Sequence, residues 1–321
     1  MNKLFLSLIA TLSFQVSAVT DVTSQSIEDR RFKAPSDAIG VLGPDLFGDK
    51  TDHNTGSTSF SVTDIDLPGN SNLPVRLSRK LQIGVADFPP FSELGESGNN
   101  SQPWEIEVPS ISGIFALGVS ASSNGAPPYG WSADSSTPLS RCSTGSGRPP
   151  NLASLSGDLY DPTKFWSGVK VNVPGQINSD LLLAQAATQN NPTAPARWTT
   201  KEHWLISCLP TVVNATGEGF LATSPDGTKY TFNRMAIMAG SSRYTKVYAY
   251  WCECANGSQN IYLYRAKYYL VATKVEDRFG NTVNYNYDAN SRLTSITASD
   301  GRQITLVRNA SGVITSATAH T

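Results

Sequence analysis

Apolar and polar residues alternate along much of this chain with a period of two, the spacing of a strand with one buried face. The run Thr58-Ser59-Phe60-Ser61-Val62-Thr63-Asp64-Ile65-Asp66-Leu67 shows it first. Residues 73–79, 104–108 and 169–173 continue it, with Pro68-Gly69-Asn70 and Pro174-Gly175 as turn signals. From Trp198 onward almost every segment reads as strand, including residues 204–206, 219–223 and 230–232. Pro225-Asp226-Gly227 joins the last two; proline presets φ and glycine accepts a positive one, which predicts a hairpin. One segment departs from the pattern. Residues 179–189 are rich in Leu, Ala and Gln and offer Ser179 or Asp180 as an N-cap, which predicts a helix ended by Asn190-Asn191-Pro192. The expected fold is mostly β, with at most one or two short helices.

Residues 1–18 lie outside that fold. Lys3 supplies a positive start, Leu4, Phe5, Leu6, Leu8, Ile9, Ala10, Leu12 and Phe14 an apolar stretch, and Val16-Ser17-Ala18 a small-residue cleavage site. This is the pattern of a signal peptide cut after Ala18, too short for a comfortable membrane span. Residues 19–40 form a polar lead-in, residues 41–215 a β-rich region with long Ser/Gly/Pro loops, and residues 216–321 a β array. Export places the protein outside the cytoplasm: secreted, periplasmic or at the cell surface.

Export also changes how the cysteines read. Cys142, Cys208, Cys252 and Cys254 are an even set, expected to form disulfides in an oxidising compartment. Cys142 with Cys208 is the favoured pair. Cys252 and Cys254 remain either a pair or two thiols.

Charged residues are 16% of the chain, below the usual ~25%. The net charge of -1 gives no electrostatic reason to expect a nucleic-acid partner. The three histidines, His53, His203 and His320, are far apart, which weakens any multi-histidine metal site. No cofactor motif occurs, and no cofactor is expected. Asp64/Asp66 and Asp158/Asp161 are carboxylate pairs that glycoside chemistry could use, although acidic residues near turns more often cap or face solvent. His203 is a conceivable base without a placed nucleophile. Asp277, Asn281 and Asp288 are oxygen ligands for Ca²⁺ or, more simply, turn formers. The expectation is no catalytic activity.

Nine of the 12 tyrosines lie between Tyr244 and Tyr287, and Tyr248/Tyr250, Tyr262/Tyr264 and Tyr285/Tyr287 each recur at period two. Each pair then shares a sheet face, either as a glycan-binding platform or, preferred here, as cross-strand packing.

The most specific signal is a repeat. A shift of 21 residues carries Gly280 onto Gly301, Val283 onto Ile304, Tyr285 onto Leu306, Asp288 onto Asn309, Leu293 onto Ile314, Thr294 onto Thr315 and Ser295 onto Ser316. Each unit reads turn, strand, turn, strand, and such units bury their faces by stacking. Residues 225–232 look like an earlier, degenerate member. Residues 280–294 resemble the YD repeat of Rhs proteins, G-x-x-x-x-Y-x-Y-D-x-x-G-R-L, through Gly280, Tyr285, Tyr287, Asp288, Arg292 and Leu293. Ser291 stands where the pattern has glycine, so Asn290 is expected to take the left-handed turn conformation instead. The second unit keeps Gly312, with Asn309 for Asp and Val313 for Arg. Residues 55–60 and 66–70 also resemble the lead-in of secreted Rhs-type proteins.

The resemblance implies the start of a spiral β-shell of the kind that encloses a C-terminal toxin. Two clear units imply the N-terminal portion of such a protein, as a truncated product or one piece of a split system. The partners implied are a continuation of the shell in another chain and a cell-surface or glycan contact. A stand-alone carbohydrate-binding module and a glycan hydrolase are the alternatives.

Overall fold

A computed structural model gives the architecture. It describes residues 49–52, 57–69, 71–83, 104–119, 141–143, 152–153, 159–160, 168–184, 196–252, 255–310 and 312–321. Side chains are described within these except at 49–57, 82–83, 116–119, 152–153, 159–160 and 237–266. The signal segment, the lead-in, His53, Asp158, Asp161, Cys254 and the side chains of Cys252, Tyr248, Tyr250, Tyr262 and Tyr264 therefore lie outside the described residues.

Strands hold 63% of those residues and no helix occurs among them, so the fold is mostly β. A four-stranded antiparallel sheet contains β1 (Asp49–Asp52), β2 (Ser57–Leu67), β3 (Val75–Ile83) and β4 (Trp104–Ile106), in that order. Strand β5 (Ser110–Val119) joins a second sheet, while β6 (Leu152–Ala153) and β7 (Leu159–Tyr160) pair only with each other. The short strands β8 (Val169–Val173), β9 (Ile177–Asp180), β10 (Leu182–Leu183), β11 (Trp198–Thr199), β12 (Leu205–Leu209) and β13 (Gly219–Thr223) follow. Two long strands come next, β14 (Lys229–Cys252) and β15 (Ala255–Glu276), of 24 and 22 residues. The repeat supplies β16 (Thr282–Tyr287), β17 (Leu293–Ala298), β18 (Gln303–Arg308) and β19 (Ile314–His320). The 13-stranded sheet runs β10 to β19 in sequence order, with β5, β8 and β9 branching from β15.

The helix expected at residues 179–189 is not formed over its first part. Ser179 and Asp180 belong to β9, and Leu182 and Leu183 pair with Thr199 and Trp198. Leu181 donates its N–H to the Val169 carbonyl and is buried, whereas Leu182 and Leu183 face solvent. Pairing with neighbouring strands overrides the helical propensity of Leu and Ala. Residues 185–189 lie outside the described set.

A single turn design recurs along the second sheet. In turns 200–204, 224–228, 277–281, 288–292, 298–302 and 309–313, the first N–H donates to the fifth carbonyl and the fourth N–H to the first carbonyl. The fourth residue always has positive φ: His203 63°, Gly227 88°, Gly280 87°, Ser291 60°, Gly301 95° and Gly312 85°. The first side chain caps the fifth N–H through Thr200, Ser224, Asp277, Asp288 and Asn309, at 2.9–3.3 Å. Ala298 cannot do so, and Asp300 takes the Arg302 N–H instead, at 3.4 Å. Side-chain oxygens of Asp, Asn, Ser and Thr hold such turns by replacing backbone acceptors.

Ser291, not Asn290, takes the left-handed conformation, correcting the sequence expectation. Its hydroxyl explains the tolerance. It accepts from Arg234 Nε (3.2 Å) and Asn214 Nδ2 (3.1 Å) and donates to the Met235 carbonyl (2.8 Å). Those bonds offset the φ strain that glycine would avoid.

The 21-residue unit also repeats its irregularity. The β16–β17 and β18–β19 ladders each slip by one residue, at Thr294 and Thr315. Both hydroxyls donate across the bulge, to the Asn286 carbonyl (3.0 Å) and the Val307 carbonyl (3.2 Å), positions that are themselves 21 apart. A bulge shared at equivalent positions is a built feature of the unit.

Candidate functional site

The site is where β15 forks. Its residues from Leu263 to Val271 pair with β5, and Lys274 to Glu276 pair with β16. Between them, the Ala272 N–H donates to the Pro109 carbonyl (2.9 Å) and the Ala272 carbonyl accepts Tyr287 Oη (2.7 Å). Tyr287 thus closes the backbone bonding that the fork would leave open, as a buried carbonyl requires.

A narrow cleft opens beside the fork, against the four-stranded sheet, with an interior of about 30 Å³, room for about two waters. Leu73, Pro74, Pro109, Val173, Val275 and Val283 give it an apolar floor, and Arg76, Glu107, Gln176, Tyr230 and Tyr285 its polar groups. Tyr230 donates its hydroxyl to Gln176 Oε1 (2.9 Å), and burial pushes that phenol up to about 12. Burial likewise raises Tyr285 and Tyr287 above the ordinary phenol range. None of the three is poised to exchange a proton near neutral pH. Tyr285 and Tyr287 pack against the core instead of presenting open rings, the packing reading of the tyrosine pairs where side chains are described. The Arg234 guanidinium lies 5.6 Å from the Tyr287 ring centre, within cation–π range.

The repeat residues named from sequence all fall on turns or core. Asp288 Oδ1 accepts the Asn290 and Arg292 N–H groups, Leu293 is 1% exposed, and Leu306, the counterpart of Tyr285, is buried. Gly280, Gly301 and Gly312 occupy the positive-φ positions, and Asn309 caps Val313. The Arg292 guanidinium lies against Gly312, where an added Cβ would come within 2.3 Å of Nη1.

Among the described residues, the carboxylates named as catalytic or metal candidates are bonded to neighbouring groups. Asp64 is gripped by Arg79 through two bonds of 2.5 and 2.7 Å, and Asp66 by Arg76 at 3.0 Å. His203 is exposed in the left-handed position of a turn. Asp277 spends Oδ1 on the Phe279 and Asn281 N–H groups and Oδ2 on the Asn281 amide. Among the described residues no three His, Cys, Asp or Glu side chains gather in a metal-binding cluster.

Cys142 and Cys208 form a disulfide. Glu218 holds the turn at 141–143 in place, accepting the Cys142 and Ser143 N–H groups (3.0 and 2.8 Å) and the Ser143 hydroxyl (2.7 Å). Trp198 Nε1 donates to the Cys142 carbonyl at 3.0 Å. Burial pushes Arg141 down to about 10, opposed by Glu218.

Two contacts were not visible in the sequence. Arg302 is 4% exposed and reaches across to the β2–β3 connection, donating to the carbonyls of Leu67 (2.8 Å) and Leu73 (3.2 Å) and to Ser71 Oγ (3.2 Å). Glu105 on β4 accepts the Tyr269 hydroxyl at 3.3 Å, and burial holds its carboxyl above the usual range. Lys267 lies 4.6 Å from the Tyr269 ring centre, its ammonium pushed down by burial. These groups join the two sheets.

No helix among the described residues is long and apolar enough to cross a membrane. The chain matches no protein-family model and no curated protein.

Proposed function

We propose that the chain is a non-catalytic scaffold, a segment of an exported β-shell of the YD-repeat (Rhs) type. The observation that carries the reading is the use of the YD residues. Tyr287 closes the fork, Tyr285 packs against the core, and Asp288 caps a turn whose design recurs through the sheet. A motif spent on backbone closure and packing builds a wall. The Cys142–Cys208 disulfide supports export, and residues 1–18 supply the signal for it, with cleavage after Ala18.

The test has two arms. Expression of the complete sequence in a bacterium should yield an exported protein whose intact mass begins at Val19, with the disulfide formed. A glycan array and a glycan-hydrolysis screen with that protein should be blank. Saturable glycan binding lost on Tyr285→Ala with the fold intact, or turnover lost at one carboxylate, would replace the scaffold by a binding module or a hydrolase.

A further inference from the structure

The outermost strand of the repeat, β19, is hydrogen-bonded to β18 on one side and has no partner on the other among the described residues. Every residue from Thr315 to His320 is exposed. After the bulge at Thr315, Ser316–His320 run in unbroken register with Val307–Gln303. Their sequence is Ser-Ala-Thr-Ala-His, with no Lys, Arg, Asp, Glu or Pro. Proteins usually guard an open edge with charge, proline or a twist, because its free N–H and C=O groups template further pairing. β19 has its bulge at the start and no guard over the five residues that follow.

The repeat shows what an occupied edge looks like. Ser295, Ile296 and Thr297 of β17 correspond to Ser316, Ala317 and Thr318, and they pair outward with Thr305, Ile304 and Gln303. Ile296 is 1% exposed, and β18 pairs along its outer side. At the equivalent position β19 carries the smaller, exposed Ala317. A strand that brings its own bulky apolar row would find no matching row on β19. A strand of equally small side chains fits it.

We propose that this partner is β19 of a second copy, paired antiparallel about Thr318. The inference rests on the edge itself and not on the family reading above. The two-fold register sets Thr318 opposite Thr318, Ala317 opposite Ala319 and Ser316 opposite His320. In that register alanine meets alanine, threonine meets threonine and serine meets histidine, and no two charged residues face each other. Thr–Thr pairs are favourable cross-strand partners. The contact is one strand wide, far below the roughly 1,200 Å² of a stable interface, so the dimer is weak and concentration-dependent.

Sedimentation of the purified chain from micromolar to millimolar concentration should show a reversible monomer–dimer equilibrium. Thr318→Lys should abolish it without changing the melting temperature, since the residue is exposed and two lysines would face each other. Residues directly opposite in an antiparallel pair have Cα atoms about 4.5–5.5 Å apart, within disulfide reach. Thr318→Cys should therefore cross-link to a dimer under mild oxidation, whereas Thr211→Cys, exposed elsewhere, should not exceed the unsubstituted protein. A strict monomer throughout, a dimer that survives Thr318→Lys, or equal cross-linking of the two cysteine variants would each overturn the proposal.

Discussion

Removal of Arg302 should loosen the join between the two sheets. Its guanidinium is buried and bonds two backbone carbonyls, Leu67 and Leu73, the Ser71 hydroxyl and the Asp300 carboxylate, the last at 2.8 and 3.0 Å. Arg302→Ala strands both carbonyls in a region with little water access. Each unsatisfied buried acceptor costs ~1–3 kcal/mol, whereas Asp300 is exposed and stays hydrated when its partner is removed. Relaxation of the β2–β3 connection offsets part of this, so a loss of about 4 kcal/mol is expected, or roughly 8–16 °C in melting temperature at ~2–4 °C per kcal/mol. Gly69 gives an independent route to the same contact. A Cβ there would sit 2.2 Å from Arg302 Cζ and 2.3 Å from Nε, so Gly69→Ala must displace the guanidinium. Urea and thermal unfolding of Arg302→Ala, Gly69→Ala and the double variant form a cycle. Both single changes break one clamp, so their effects should be strongly non-additive, the double variant falling near the worse single one. A loss below ~0.5 kcal/mol for Arg302→Ala, the scale of an ordinary surface substitution, or simple additivity in the cycle, would refute the clamp.

Ser291→Gly relieves a left-handed φ but removes a hydroxyl with three partners, and a net loss of about 1–2 kcal/mol is expected; Ser291→Ala keeps the strain and should be worse, so the order of stability by urea unfolding is wild type, Gly, Ala, and a more stable glycine variant would contradict the role given to the hydroxyl. Asp226, Asp277 and Asp300 are held below the ordinary 3.8, by the Ser224 hydroxyl, the Asn281 amide and the Arg302 guanidinium respectively. Their stabilisation is complete above the unfolded value and is lost as pH falls through the folded one, so stability should decline below about pH 4, and Asp277→Asn should flatten that acid limb. Opening the Cys142–Cys208 bridge frees a loop of sequence separation 66 and should cost about 4 kcal/mol, read as a lower urea midpoint for the reduced or doubly Ser-substituted protein; an unchanged midpoint would contradict it.

The local features were legible because short-range rules set them. Alternation placed β2, β8 and β13 nearly to the residue, and the 21-residue shift located turns that share hydrogen bonds and φ signs. The turn at 200–204 belongs to the same set and went unseen, because His203 stands where glycine does elsewhere; Thr200 four residues before Trp204 was the available cue. Residues 179–184 misled because helix propensity is weaker than the strand pairing supplied by Trp198 and Thr199. The fork of β15 could not be read from its sequence. Which half meets β5 and which meets β16 depends on strands more than 100 residues apart, and the alternating pattern is the same for either partner. Arg302 was equally hidden, since its partners lie 229 to 235 positions away.

The central claim is that the C-terminal part of the sheet is an array of interchangeable 21-residue units that serve as wall. Adding one more unit tests it most directly. Ala319 is the counterpart of Ala298, so a copy of residues 299–319 joined after Ala319 continues the repeat in register. Native-state amide exchange, read by mass spectrometry alongside a thermal melt, should show β19 newly protected, the added strands protected with it, and a single cooperative transition at or above the original temperature. Added residues that exchange as free chain, with β19 no better protected than before and a lowered melting temperature, would contradict the account.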